Sequence, residues 1–145
     1  MSNTASSSGV MAGKKGLIMG VANDRSIAWG IAAKLAEQGA ELAFTFQGEA
    51  LQKRVEPLAA SVGSDLVIPC DVTDEASMDA TFDALKEKWG SLDFVLHAIA
   101  YSDKEELKGG YVDTSRDNFA RTMDISVYSF TDVARRAAAM MNDGG

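Results

Sequence analysis

Apolar positions along this chain follow two alternating rhythms: short solid runs, and stretches in which they recur three and four residues apart. Residues 17–21 form the first solid run, of the kind a strand buried on both faces shows. Gly20 opens a turn in which Asn23, Asp24 and Ser26 offer capping side chains. Ile27, Ile31 and Leu35 then recur at helical spacing until Gly39, in the position of a C-terminal cap. The spacing predicts that these three side chains face the core and that Gly30 lets the helix press onto the sheet.

The alternation repeats. Residues 41–47 predict a second strand, and Leu51, Val55, Leu58 and Val62 a helix over 49–62, kinked or restarted near Glu56 by Pro57. Residues 65–70 predict a third strand. Thr73 is the expected cap of a helix burying Met78, Phe82, Leu85 and Trp89 and ending at Gly90. A fourth strand is expected over 92–98. Residues 100–113 carry no sustained period; lying beyond a strand's carboxyl end, they read as a substrate-side loop or a plain solvated connection. From 114 to about 141 neither Gly nor Pro occurs, which predicts one long helix with an apolar stripe of Phe119, Met123, Val127, Phe130, Ala134, Ala137 and Met141. That stripe packs either on its own sheet or partly on another subunit. Strict strand–helix alternation predicts an α/β fold: a doubly wound parallel sheet of Rossmann type, here its N-terminal four strands and their helices.

Composition narrows this only modestly. The chain has 145 residues, 46% apolar and 24% charged, enough for one domain with a core. A net charge of −7 argues against a general nucleic-acid binder. Cys70 is the one cysteine, so no intrachain disulfide can form and a cytoplasmic location is the natural reading. No stretch reaches membrane-spanning length. Residues 1–13, rich in Ser and Gly, are expected to be a disordered tail, and 14–145 part of a single dinucleotide-binding domain.

The first strand, turn and helix would aim free backbone N–H groups and a helix dipole at a phosphate. The spacing departs from G-x-G-x-x-G, reading Gly20-x5-Ser26-x3-Gly30 with Ala22 where a second glycine is usual. Ser26 can offer a hydroxyl beside the N–H of Ile27. Gln47 stands where an acidic residue would bind an adenosine ribose; Glu49 tilts toward NAD, Lys53 and Arg54 toward NADP. Asp71 can accept from an adenine amino group while the Val72 N–H donates to the neighbouring ring nitrogen, or Asp71 simply opens the turn before the next helix. His97 with one cysteine makes no metal cluster, and a histidine satisfied within the fold is expected. Reduction of an activated double bond needs a group to hold an enolate oxygen. Tyr101 and Lys104 are the nearest Tyr–Lys pair, in a charged loop, so the catalytic donor is expected elsewhere and no catalytic residue is assigned here.

The runs Gly20-Val-Ala-Asn-Asp-Arg-Ser-Ile-Ala-Trp-Gly30, Gly39-Ala-Glu-Leu-Ala-Phe-Thr-Phe-Gln47, Cys70-Asp-Val72, His97-Ala-Ile-Ala-Tyr101 and Asp124-Ile-Ser-Val-Tyr-Ser-Phe130 together resemble the bacterial NADH-dependent enoyl-acyl carrier protein reductases. These are divergent short-chain dehydrogenases/reductases. The resemblance runs from about Lys14 onward. It implies that Gly20, Ser26, Ile27, Gln47, Asp71, Val72 and Ile99 contact NAD, and that Ser102 meets the acyl chain. It further implies reduction of the trans-2 double bond of an enoyl thioester on acyl carrier protein, by hydride from NADH, in a homotetramer. The family's enolate-holding tyrosine and ribose-fixing lysine follow the long helix. This chain is therefore expected to be the N-terminal part of such an enzyme and to lack turnover by itself. Two other readings stay open: another short-chain carbonyl reductase, and a non-catalytic nucleotide-binding module. Ordinary ketoreductases usually carry Asn-Asn-Ala-Gly after the fourth strand, and His97-Ala-Ile-Ala departs from that.

Overall fold

In the computed structural model, which describes residues 9–145, four parallel strands pair in the order β3-β2-β1-β4. They are β1 (Lys15–Met19), β2 (Glu41–Phe46), β3 (Val67–Pro69) and β4 (Phe94–His97). Helix α1 (Ile27–Glu37) follows β1, α2 (Glu49–Ser61) follows β2 and α3 (Glu75–Trp89) follows β3. Beyond β4 the chain makes two short 3-10 turns, Lys104–Leu107 and Tyr111–Asp113. A long helical segment then comprises α4 (Arg116–Met123), one wider π-type turn (Asp124–Tyr128) and α5 (Ser129–Ala138). The expected α/β doubly wound architecture is present.

Two apolar layers sandwich the sheet. On one face Ile18, Leu42 and Phe44 meet Ala28 and Ala32 of α1 and Val55 and Ala59 of α2. On the other, Leu17, Met19 and Ala43 meet Met78, Phe82 and Leu85 of α3 and Val133 and Ala137 of α5. Burial on both sides explains why β1 reads as an unbroken apolar run. Pro69 is tolerated because β3 is an edge strand; its neighbour Cys70 supplies the N–H that reaches Phe46 O.

Several expectations change. On α1 the buried pair is Ala28 and Ala32, whereas Ile27 and Ile31 are 82% and 39% exposed. The small alanines bring the helix close to the sheet, while Leu35, the third expected position, and Trp29 pack part-buried on the same layer. Gly30 sits in open space, so it serves no close packing. Helix α2 runs through Pro57 from Glu49 to Ser61, with Pro57 on its exposed side. Asp74 rather than Thr73 caps α3, accepting from the N–H groups of Ala76 and Ser77. Thr73 is occupied one residue earlier, donating its hydroxyl to Asp71 Oδ1. Of the tail expected over 1–13, residues 1–8 lie outside the described residues. Residues 9–13 form a turn docked on α1's end, with the Met11 N–H donating to Gln38 O and Met11 packed on the core.

The long segment differs most. Its inward positions are Asn118, Ser129, Asp132, Val133 and Ala137, while Phe119, Met123, Val127 and Phe130 are exposed. The anticipated apolar stripe lies one position round the helix from the buried one over most of its length. After α5 the chain returns beside the sheet, where Met141 makes an isolated parallel bridge to Leu92.

Candidate functional site

Sheet order locates the site. β2 leaves β1 on one side and β4 joins it on the other, so the connections from the carboxyl ends of β1 and β4 diverge and open a crevice. At that point Gly20 adopts φ +108°, and a Cβ there would stand 2.1 Å from the Ala98 carbonyl oxygen. Only glycine lets the two strand ends leave the sheet this close together.

The crevice holds a cavity of about 340 Å³. Its floor is Gly20–Ala22 with Ala98, its far wall Gln47 and the run 70–73, its near wall the run 99–101 with Arg121 and Ile125. Of the residues expected to bind a cofactor, the structure brings Gly20, Gln47, Asp71, Val72 and Ile99 together here. Ser26 and Ile27 lie just outside the lining, at the start of α1. Ser102 also lies outside it.

Each of these side chains is held by specific partners. Ser26 Oγ accepts from the N–H groups of Ala22 and Asn23, at 2.9 and 3.1 Å, which closes the turn after β1 and leaves the hydroxyl hydrogen to donate outward. Ile27 begins the helix, where the first N–H groups have no partner within it. Of the two roles the sequence left open for Asp71, the structure shows the turn before α3. Its Oδ1 accepts from the Thr73 N–H and hydroxyl, making the turn before α3, while Oδ2 accepts from Gln47 Nε2 at 3.2 Å. These bonds, first those from Thr73, hold the carboxyl below its ordinary value against a smaller effect of burial. The Cys70 thiol beside it is pushed up by burial, which favours the unreactive protonated form.

Beyond β4 the loop is tied to the long helix by side chains. Ser126 Oγ, in the π-type turn, accepts the Tyr101 N–H and donates to the Tyr101 carbonyl. Buried Asn118 accepts the Asp103 N–H at 2.9 Å and donates to Ser102 Oγ, to which Thr122 also donates. Glu106 accepts both the N–H and hydroxyl of Ser115, the cap of α4. His97 is satisfied within the fold as expected: its Nε2 pairs with Ser129 Oγ at 2.8 Å, and burial holds its pKa down. The Arg121 guanidinium carbon lies over the Tyr101 ring. Sequence reading missed Arg121 and Asn118. Both sit on a helix whose buried face the apolar periodicity misassigned, so no local pattern pointed to them.

The donor set suits a dinucleotide. Free N–H groups and a hydroxyl at a helix start fit a diphosphate, and a fixed carboxylate at a strand end fits an adenine amino group. No cluster of three metal-ligating side chains occurs among the described residues. Nor is any described helix long and apolar enough to cross a membrane.

A family model described as enoyl-(acyl carrier protein) reductase matches residues 20–145. The chain belongs to the enoyl-acyl carrier protein reductase family. Among its relatives, enoyl-acyl carrier protein reductase (NADH) 1 of Rhizobium meliloti is 70% identical over 141 residues, covering 97% of this chain and 52% of the relative. The family member FabI of Aquifex aeolicus is 50% identical over 133 residues, covering 92% and 49%. The crystal structure of FabI from Candidatus Liberibacter asiaticus superposes with TM-score 0.90 at 58% identity, over 92% of this chain and 52% of that one. The enoyl-acyl carrier protein reductase of Anaplasma phagocytophilum, solved in complex with NAD, superposes at 0.88 and 57%, over 92% and 51%. The chain thus spans about half the length of the curated relatives it matches.

Proposed function

We propose that this chain forms the adenosine and diphosphate half of an NADH site, in a protein that reduces the trans-2 double bond of enoyl thioesters carried on acyl carrier protein. One observation carries the reading: Gly20, Gln47, Asp71, Val72 and Ile99 converge on a single cavity at the point where the strand order reverses. NADH bound there would supply hydride to the carbon β to the thioester carbonyl. This chain's residues bind and orient. The Ser26 hydroxyl and the N–H of Ile27 would hold the diphosphate, Asp71 and the Val72 N–H the adenine edge, and Gln47 the adenosine ribose. Ile99 and Ala100, half-buried and exposed at the cavity wall, would lie along the cofactor's length. Ser102 would adjoin the acyl chain from the loop fixed by Asn118.

Names of relatives that specify NADH support NADH over NADPH. Cytoplasmic location fits the lone thiol. Homotetrameric assembly fits the exposed stripe Phe119, Met123, Val127 and Phe130, which a second copy would cover.

Calorimetric titration with NADH, followed by assay with a trans-2-enoyl thioester and separately with a 3-ketoacyl thioester, tests the proposal. NADH binding with oxidation only by the enoyl thioester is the expected result for the protein in which these residues act. Turnover of the ketoacyl thioester instead would establish a carbonyl reductase. Binding without turnover of either would leave a nucleotide-binding module, and absence of NADH binding would refute all three.

A further inference from the structure

The near wall of the cavity carries a cation that the reading so far leaves without a task. Arg121, in the last turn of α4, lines the cavity beside Tyr101 and Ile125. Its guanidinium carbon lies 4.7 Å from the centroid of the Tyr101 ring. It enters none of the ion pairs formed among the described residues, whereas Arg135 and Arg136 in the last turn of α5 are both paired with Asp132. Across the cavity stands Asp71, fixed by Thr73 and Gln47. Arg121 is thus an exposed, unpaired, planar cation, oriented by an aromatic ring and turned toward a binding cavity.

We propose that Arg121 is a specificity-determining residue for the nucleotide: its guanidinium plane stacks on a face of the adenine ring whose edge Asp71 and Val72 read. This rests on the nucleotide reading above and deepens it. A guanidinium is flat, delocalised and weakly hydrated, so it lies against aromatic faces where an ammonium stays in water. The guanidinium carbon lies over the Tyr101 ring and the side chain lines the cavity, where a second ring can meet it. The alternative task, a counter-charge for the diphosphate, fits less well. The diphosphate donors lie at the turn of Gly20–Ser26 and the start of α1, whereas Arg121 lies on the wall with Tyr101 and Ile125, across the cavity from the Asp71 carboxylate. An uncharged heterocycle between a carboxylate and a guanidinium satisfies both; a second anion would be repelled by Asp71. Arg121 also adds to the downward shift at Asp71, behind the hydrogen bonds from Thr73 and Gln47.

The test compares adenosine, AMP and NADH as ligands of the wild-type chain, Arg121→Ala and Arg121→Lys, by NMR line-shape titration for the weak ligands and calorimetry for NADH. Arg121→Ala is expected to weaken all three by a similar factor, about 3- to 30-fold. Arg121→Lys, which keeps the charge and loses the plane, should recover little of the adenosine affinity. The residue is exposed and both variants should melt with the wild type; Arg121→Lys keeps the comparison readable should the alanine variant misfold. Unchanged adenosine affinity in Arg121→Ala would overturn the proposal, and if NADH alone weakened, Arg121 would be a phosphate contact. Full recovery by Arg121→Lys would overturn the stacking geometry. Wild-type protein that binds NADH while the variants match it would sink this inference alone; wild-type protein that binds none of the three would sink the nucleotide reading with it.

Discussion

Helix α3 and the long segment α4–α5 pack against the same half of the molecule by opposite chemistry. Helix α3 buries Met78, Phe82 and Leu85, large apolar side chains at four- and three-residue spacing, in the layer shared with β1. The long segment turns Asn118, Thr122, Ser126 and Ser129 inward, and each takes a partner from the chain just beyond or within β4: Ser102 and Asp103, Ser102 again, Tyr101, and His97. Only its last two turns bury apolar residues, Val133 and Ala137. The apolar contact of α3 is non-directional and tolerates adjustment. The polar seam is directional, so it fixes the loop at the cavity mouth residue by residue.

Truncation tests the apolar side most severely. Leu85→Ala, at a fully buried position, should cost about 2–5 kcal/mol of unfolding free energy, read from denaturant midpoints. It should leave hydrogen exchange in residues 101–106 no less protected than the rest of the fold. Asn118→Leu reverses the pattern. Removing the amide strands the Asp103 N–H and should cost about 1–3 kcal/mol, with exchange accelerated first in the loop over 101–106. Equal acceleration throughout the sheet would mean the seam does not act locally.

Acid gives a smaller effect with a definite sign. Burial holds the His97 imidazole below its ordinary pKa, so the fold favours the neutral ring. On acidification the unfolded chain takes up the proton first. Stability should therefore begin to fall as pH drops below about 6.5 and continue falling until the folded ring titrates. The chain has one histidine, so its proton resonances report this directly, and His97→Gln should flatten that limb. Smallest of all, Phe119→Ser on the outer side of α4 should change the stability of the single chain by under about 0.5 kcal/mol. The same change should weaken self-association seen by sedimentation if the exposed stripe is an interface.

Legibility in sequence follows the same division. The strands, the order of elements and the buried face of α3 were readable because each rests on apolar periodicity. That Gly20, Gln47, Asp71 and Val72 lie near one another was readable because strand ends in such a sheet are fixed by that order, while Ile99 came from the family resemblance; all five line one cavity. The inward face of α4 was not. Asn118, Thr122 and Ser126 look like solvent positions until the loop that satisfies them is in place, and the more apolar neighbouring stripe attracts the assignment. On α1 the error was similar in kind: alanines at Ala28 and Ala32 carry little signal, although close approach needs them. The cap of α3 was one residue off because Thr73 and Asp74 are both good caps, and the competing Asp71–Thr73 turn decides between them.

The wider turn at Asp124–Tyr128 has a consequence for how this segment tolerates change. It accommodates one residue more than a regular helical turn, which sets α5 back by roughly 100° about the axis relative to α4. That offset lets a polar row on the first half continue as Val133 and Ala137 against the sheet on the second. Deleting a single amino acid there would yield a more ideal helix and a worse protein, with α5 swung out of its seat. Exchanges of outward side chains would pass almost unnoticed. In this stretch spelling is negotiable and length is not.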